Sequence, residues 1–248
     1  MKARRGLLDV TVTVVVGIAV LIGLGLWQLD RRVWKEDLIA RTSARFSAQP
    51  ESVPPRVAWD RLDETATDFR RVEFPAEFIP GEQALVYTAG SAFRPDVSGP
   101  GYWVLSPARL AGGSVVVVNR GFVPLDRKPS PNRAQAAPSA ASPSVTELIG
   151  IIRWTETRGL FTPSDQPIDN VWYVRDPRLI AQAKGWGEVA PFLVDQESPS
   201  APGTWPRAGR LTVSLANNHL QYALTWFALA LGLAGVYVTW LAARRRRH

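Results

Sequence analysis

His219 is the side chain on which metal or acid–base chemistry in this chain would depend. The sequence holds two histidines, no cysteine and one methionine, the initiator Met1. Thiolate zinc sites, disulfides and His/Met ligation beside His219 are therefore closed, and a copper carrier would lack its soft ligands. His248 stands beyond the apolar segment that follows His219, about 43 Å away along a helix, so the two cannot share one metal within a monomer. A Ser-His-Asp hydrolase would have to recruit His219, and no Gly-x-Ser-x-Gly elbow accompanies it. What remains open to this imidazole is to serve as an axial ligand of an iron macrocycle or to make hydrogen bonds.

His219 belongs to the run Asn217-Asn218-His219-Leu220-Gln221-Tyr222, which opens an apolar stretch over 217–243. A matching stretch covers 7–29, and each meets the roughly 20 residues needed to cross a hydrocarbon core. The first run is longer than a signal-peptide core and closes on Leu24, Leu26 and Trp27 without a small-residue cleavage site, so it reads as an uncleaved anchor. Lys2, Arg4 and Arg5 precede the first stretch and Arg244 to Arg247 follow the second, placing the tails 1–6 and 244–248 in the cytoplasm and the intervening domain outside. The formal charge of +7 owes much to these tails, so membrane lipid, and no nucleic acid, is the expected polyanionic neighbour.

On a helix of about 100° per residue, His219, Tyr222, Ala223, Trp226, Ala230 and Tyr237 share one face. A flat macrocycle could lie against Ala223 and Trp226 with His219 reaching its iron. Equally, an interfacial histidine could bond headgroups or carbonyls of the outer domain, with Trp226 and Tyr222 as ordinary belt residues.

Between the spans, a helical stalk is predicted over 30–52 and a β-rich domain over 53–216. Val72, Phe74, Ala76 and Phe78 alternate at period two. Further short apolar runs at 84–88, 102–105, 114–118, 148–152, 171–174, 192–194 and 211–215 predict a mainly antiparallel sheet or barrel. One helix is expected at 177–184, with Asp176 as N-cap and Gly185 as stop, and another at 59–65. The Pro/Ala/Ser-rich segment 127–144 reads as a flexible loop. Asn119-Arg120-Gly121 ends the run 114–118, with Gly121 at a turn or bulge and Arg120 free to pair with a protein acid or with an acid from outside the chain. The fold class is thus a membrane protein with two transmembrane α-helices flanking a mainly antiparallel β (α+β) extracytoplasmic domain.

Three stretches together resemble the surfeit-locus protein one family: Gly25-Leu26-Trp27-Gln28-Leu29-Asp30-Arg31 through Trp34-Lys35, Val118-Asn119-Arg120-Gly121-Phe122-Val123-Pro124, and Asn217-Asn218-His219-Leu220-Gln221-Tyr222-Ala223-Leu224-Thr225-Trp226-Phe227. The region from Phe161-Thr162-Pro163 to Asp176 is similar as well. The resemblance implies a non-enzymatic cytochrome c oxidase assembly factor that binds haem a transiently and promotes its insertion into the oxidase's catalytic subunit. It makes His219 the expected metal ligand; the helix face then adds Tyr222 and Trp226 as cofactor-binding residues that pack the macrocycle, and the strand position adds Arg120, toward a propionate or a partner subunit. It also implies the haem a synthesis machinery as a partner, and a second protomer's His219 could complete a bis-histidine site in a homo-oligomer. The alternative is a membrane scaffold that stabilises oxidase assembly intermediates without touching haem. A chain that begins directly with its anchor suggests a bacterial inner membrane, with the main domain periplasmic.

Overall fold

A computed structural model of the chain describes residues 2–91, 93–128, 145–198, 203–212 and 217–246. In chain order its elements are helix α1 (Lys2–Ser47), strand β1 (Glu51–Ser52), helix α2 (Glu64–Thr67) and strands β2 (Arg71–Phe78), β3 (Ala84–Gly90), β4 (Ser98–Leu110) and β5 (Val115–Pro124). Strands β6 (Thr146–Arg153) and β7 (Val171–Trp172), helix α3 (Pro177–Lys184), strand β8 (Val189–Gln196) and helix α4 (His219–Arg245) follow. They form two units, residues 1–41 with 215–248 and residues 42–214. The loop expected at 127–144 is described only through Lys128, and the strand expected at 211–215 only through Thr212; the remainder of both, and His248, lie outside the described residues.

In the second unit, β2 pairs with β6, β6 with β8, β8 with β5, β5 with β4, and β4 returns to β2, so five strands close into a barrel. Only the β5–β8 pairing within that ring is parallel. Strand β3 extends the sheet from β4 and carries the short parallel β7. The period-two reading of β2 holds: Val72, Phe74 and Ala76 are buried in the barrel, while Glu73 faces solvent. Closure removes the exposed edges that an open sheet of these strands would carry.

Strand β5 is apolar on both faces, and the packing shows why. Val116 and Val118 join the barrel interior with Phe192 and Val194, whereas Val115 and Val117 pack beneath Ile180 and Ala181 of α3 and beside Trp172 and Trp186. Helix α3 starts where the sequence says it should. The Asp176 carboxylate accepts the Leu179 N–H at 3.0 Å, Pro177 holds the first helical position, and Gly185 ends the helix in the left-handed conformation.

The helix expected over 59–65 is instead two short pieces, a 3-10 turn at Arg56–Arg61 and then α2. Asp63 makes the break, because its side chain accepts from the backbone N–H groups of Thr65 and Ala66 and so starts a new helix in place of continuing the old one. Trp59 remains an anchor of the barrel core: its ring meets Phe192 edge-on at 6.2 Å, and its indole N–H donates to the Pro54 carbonyl at 2.9 Å.

Gly121 is a bulge within β5 and not the end of the strand. Trp103 stands opposite Phe122 and Leu105 opposite Asn119, so Arg120 and Gly121 together oppose Val104 alone. Gly121 takes φ +122°, and a Cβ there would lie 2.2 Å from the Arg207 carbonyl oxygen. That approach lets Phe122 and Arg207 exchange backbone hydrogen bonds of 2.8 and 3.1 Å, which tie segment 203–212 to the barrel. Gly121→Ala is therefore expected to destabilise the protein by more than about 2 kcal/mol, since it adds backbone strain to steric overlap. Denaturant unfolding in detergent measures this, and an unchanged midpoint would contradict the packing described.

Candidate functional site

In the first unit, α1 and α4 are both long and apolar enough to cross a membrane. Without a hydrophobic force between helices in lipid, close packing and interhelical hydrogen bonds must hold such a pair together. Contacts between them run along both helices. Thr11 Oγ1 meets Tyr237 OH at 2.6 Å, Gly17 faces Leu233, and Gly25 faces Phe227. At Gly25 the approach is tightest: a Cβ would stand 2.4 Å from the Phe227 ring. Because Gly25 has no side chain, the ring can lie against the backbone of α1.

One turn further along α1, Gln28 reaches His219. The imidazole Nδ1 lies 2.7 Å from Gln28 Oε1, an acceptor, so Nδ1–H donates. The His219 backbone N–H is 3.4 Å from Asn217 Oδ1, an Asx turn at the start of α4. Nε2 has no hydrogen-bond partner among the described residues. His219 is thus half-buried at a helix start, with one ring nitrogen occupied by protein and the other available.

The helix face expected to bear a macrocycle divides in two. Ala223 and Ala230 are the buried residues of α4, and Tyr237 bonds to Thr11, so these belong to the stripe that packs on α1. The expectation that Ala223 would offer a flat open surface is corrected: small residues there serve helix–helix contact. Tyr222 and Trp226 lie about 60° and 20° to the other side of His219. Tyr222 is 55% exposed and Trp226 half-buried, so an aromatic flank beside the imidazole stays uncovered. Within the first unit, the structure keeps His219, Tyr222 and Trp226 together and adds Gln28.

Arg120 lies in the second unit. It has no carboxylate partner among the described residues, contrary to the protein-acid pairing that its position suggested. Its guanidinium sits over the Phe78 ring at 4.8 Å, and burial pushes its pKa below the ordinary arginine value. The bulge explains the difference: Asn119, its neighbour, takes the buried polar position. Asn119 Nδ2 donates to Asp195 at 2.7 Å, and Asn119 Oδ1 accepts the Gly121 N–H at 3.0 Å.

Asp195 also receives Arg175 Nη1 at 3.3 Å, and Arg175 reaches Glu156 at 2.6 Å. Burial opposes the charge of Arg175, but Asp195 and Glu156 outweigh it and raise its pKa. Arg153 stands 3.9 Å from Asp195 and 3.4 Å from Asp68, with its guanidinium over Phe69 and Phe93. The charges largely neutralise one another, so this is a tie among β5, β6, β8 and the segment before α3. Two of the sequence stretches singled out above, the one around Asn119 and the one ending at Asp176, therefore meet at a shared carboxylate.

Sequence reasoning passed over Gln28, Asn119 and Asp195. For Gln28 a signal existed: it lies at the outer end of the first span as His219 lies at the outer end of the second, so antiparallel spans set them level. Asn119 and Asp195 are separated by much of the domain, and only strand pairing brings them together. Among the described residues no group of three or more His, Cys, Asp or Glu side chains is placed to hold a metal ion.

Residues 15–231 match the model of the SURF1 family. Over 237 residues the chain is 31% identical to a SURF1-like protein of Monosiga brevicollis, an alignment covering 92% of this chain and 84% of that protein. It is 32% identical over 221 residues to Surfeit locus protein 1 of Mus musculus, covering 85% of this chain and 69% of that protein. The corresponding human protein is 32% identical over 219 residues, covering 84% and 69%.

If the Gly25–Phe227 approach sets the helix pair, Gly25→Val should lower the apparent Tm in detergent, at a cost of about 1–3 kcal/mol from overpacking. Phe227→Ala in the same chain should restore most of that loss. Equal destabilisation by the single and double variants would show that the two positions do not meet.

Proposed function

Since the chain belongs to the SURF1 family, a family of cytochrome c oxidase assembly factors, we propose that it holds haem a through His219 and promotes the cofactor's insertion into the oxidase's catalytic subunit. The observation that carries this reading is the divided imidazole: Nδ1 engages Gln28 at 2.7 Å, and Nε2 has no hydrogen-bond partner among the described residues, at the edge of an apolar helix pair. A ligand histidine ordinarily donates its other N–H to an oxygen acceptor in this way.

The donor set fits a haem better than a bare ion. One imidazole cannot build a metal site alone, whereas a haem brings four equatorial nitrogens and needs only axial ligands. When bound, haem a supplies the redox-active iron that the oxidase requires; for this chain it is cargo. Tyr222 and Trp226 cover apolar macrocycle surface beside His219, and attachment through one strong ligand favours release over storage. Arg120, held over Phe78 with no carboxylate partner among the described residues, is suited to an acid from outside the chain, a haem propionate or a carboxylate of the catalytic subunit. The role is non-enzymatic: the chain takes haem a from its synthesis machinery and passes it on. The basic tails agree with cytoplasmic termini and a periplasmic domain in a bacterial inner membrane.

The test is a reduced-minus-oxidised spectrum of the full chain purified in detergent from cells that also make haem a, with His219→Ala and His219→Gln alongside. A haem a spectrum in the wild type, lost or reduced at least about tenfold in both variants, is the expected result. Folded wild-type protein without haem, or a spectrum unchanged by His219→Ala, would favour a scaffold that holds assembly intermediates without contacting the cofactor.

A further inference from the structure

We propose that Gln28 is a positioning residue for His219: by accepting the Nδ1 proton it holds the imidazole in the tautomer whose Nε2 can bind iron. The inference rests on the reading that His219 takes the haem, and it concerns a residue on the other helix.

A neutral imidazole has one N–H, and the nitrogen that bears it cannot be the ligand. In water, histidine carries that proton mostly on Nε2, which would block the nitrogen the proposed site uses. With Gln28 Oε1 facing Nδ1 at 2.7 Å, the contact favours the opposite tautomer, because the amide oxygen can only accept. Both side chains are half-buried between two apolar helices, where an unpaired amide or imidazole is costly, so each favours keeping the other engaged.

The backbone makes the contact available. Gly25 lies three residues before Gln28, on the same face of α1, and admits the Phe227 ring against the helix. At the other partner, Asn217 Oδ1 holds the His219 backbone N–H at 3.4 Å, fixing the imidazole's root at the first residue of α4. Chain length at position 28 matters too: asparagine is one methylene shorter and would pull the acceptor back from Nδ1.

The chemistry of an amide suits a carrier. A carboxylate at this position would draw the Nδ1 proton toward itself and give the imidazole partial anionic character, making it a stronger iron donor. A neutral amide orients the ring and fixes the tautomer without that added donation. Gln28 thereby separates two demands, a defined ligand geometry and a bond weak enough to exchange.

The experiment uses the full chain in nanodiscs, carrying His248→Gln so that 15N-histidine labelling reports His219 alone. In haem-free protein, the side-chain nitrogen shifts should show the proton on Nδ1 in otherwise wild-type chain, a majority on Nε2 in Gln28→Leu, and retention on Nδ1 in Gln28→Glu. With haem a bound, Gln28→Leu should weaken retention about tenfold. The haem midpoint potential should fall in Gln28→Glu and rise in Gln28→Leu relative to glutamine. A merely structural role for Gln28 would not order the potentials in this way, and Gln28→Glu serves as the folded control if Gln28→Leu is unstable. A proton that stays on Nδ1 in folded Gln28→Leu overturns the proposal whether or not haem binds. If the tautomer follows position 28 but no form of the chain takes haem, the haem reading itself fails and the role toward iron falls with it.

Discussion

In lipid, a polar side chain on a helix must find a partner on the same helix, on a neighbour or at the interface, and the His219–Gln28 hydrogen bond is this chain's answer at the His219 end of α4. That constraint organises the helix pair. Gly25 and Gly17 let the helices approach, Ala223 and Ala230 keep α4 narrow where it packs, and Thr11 and Tyr237 satisfy each other near the opposite end. The result is a pair with these small and polar residues turned inward, while bulky residues such as Leu224 and Leu231 face outward. His219 sits where the inward stripe meets the aromatic flank of Tyr222 and Trp226, and so has one nitrogen committed and one available.

The domain in residues 42–214 solves a different problem. Its barrel is closed by strand pairing and filled by alternating apolar residues, and one network of buried polar and charged side chains is organised around Asp195. Asn119 and Arg175 converge on that carboxylate from distant parts of the sequence. Removing Arg175 or Asp195 would leave its buried partner under-compensated, at a cost larger than the net stabilisation of the intact network. Gly121 belongs to the same construction, since its N–H bonds back to Asn119 and its bare Cα admits the Arg207 carbonyl.

Much of this was legible before any coordinates. Hydrophobic length gave both membrane helices, period-two alternation gave β2, and the Asp-Pro start with a glycine stop gave α3, because each rests on local chemistry. The 59–65 helix was misread because Asp63 can cap as well as continue, and the choice depends on where Trp59 must sit in the barrel. Ala223 was assigned to an open face because a helical wheel shows which residues share a side but not which side the neighbouring helix covers. Of the two partners open to Arg120, a protein acid and an acid from outside the chain, the first is not met among the described residues, where Arg120 has only the Phe78 ring, because the bulge at Gly121 sends Asn119 to the buried acid. Asn119 and Asp195 could not be paired from spacing, since their contact depends on the parallel β5–β8 pairing.

If His219 holds haem a, one histidine nitrogen binds iron. Electron–nuclear double resonance on the ferric haem a complex, with 15N confined to histidine and His248 replaced by Gln, tests it at the level of the bond. A strongly coupled 15N nucleus from the imidazole of His219 is the expected result. A low-field signal with haem bound but no strongly coupled histidine nitrogen would contradict it, since the iron would then be held by something else.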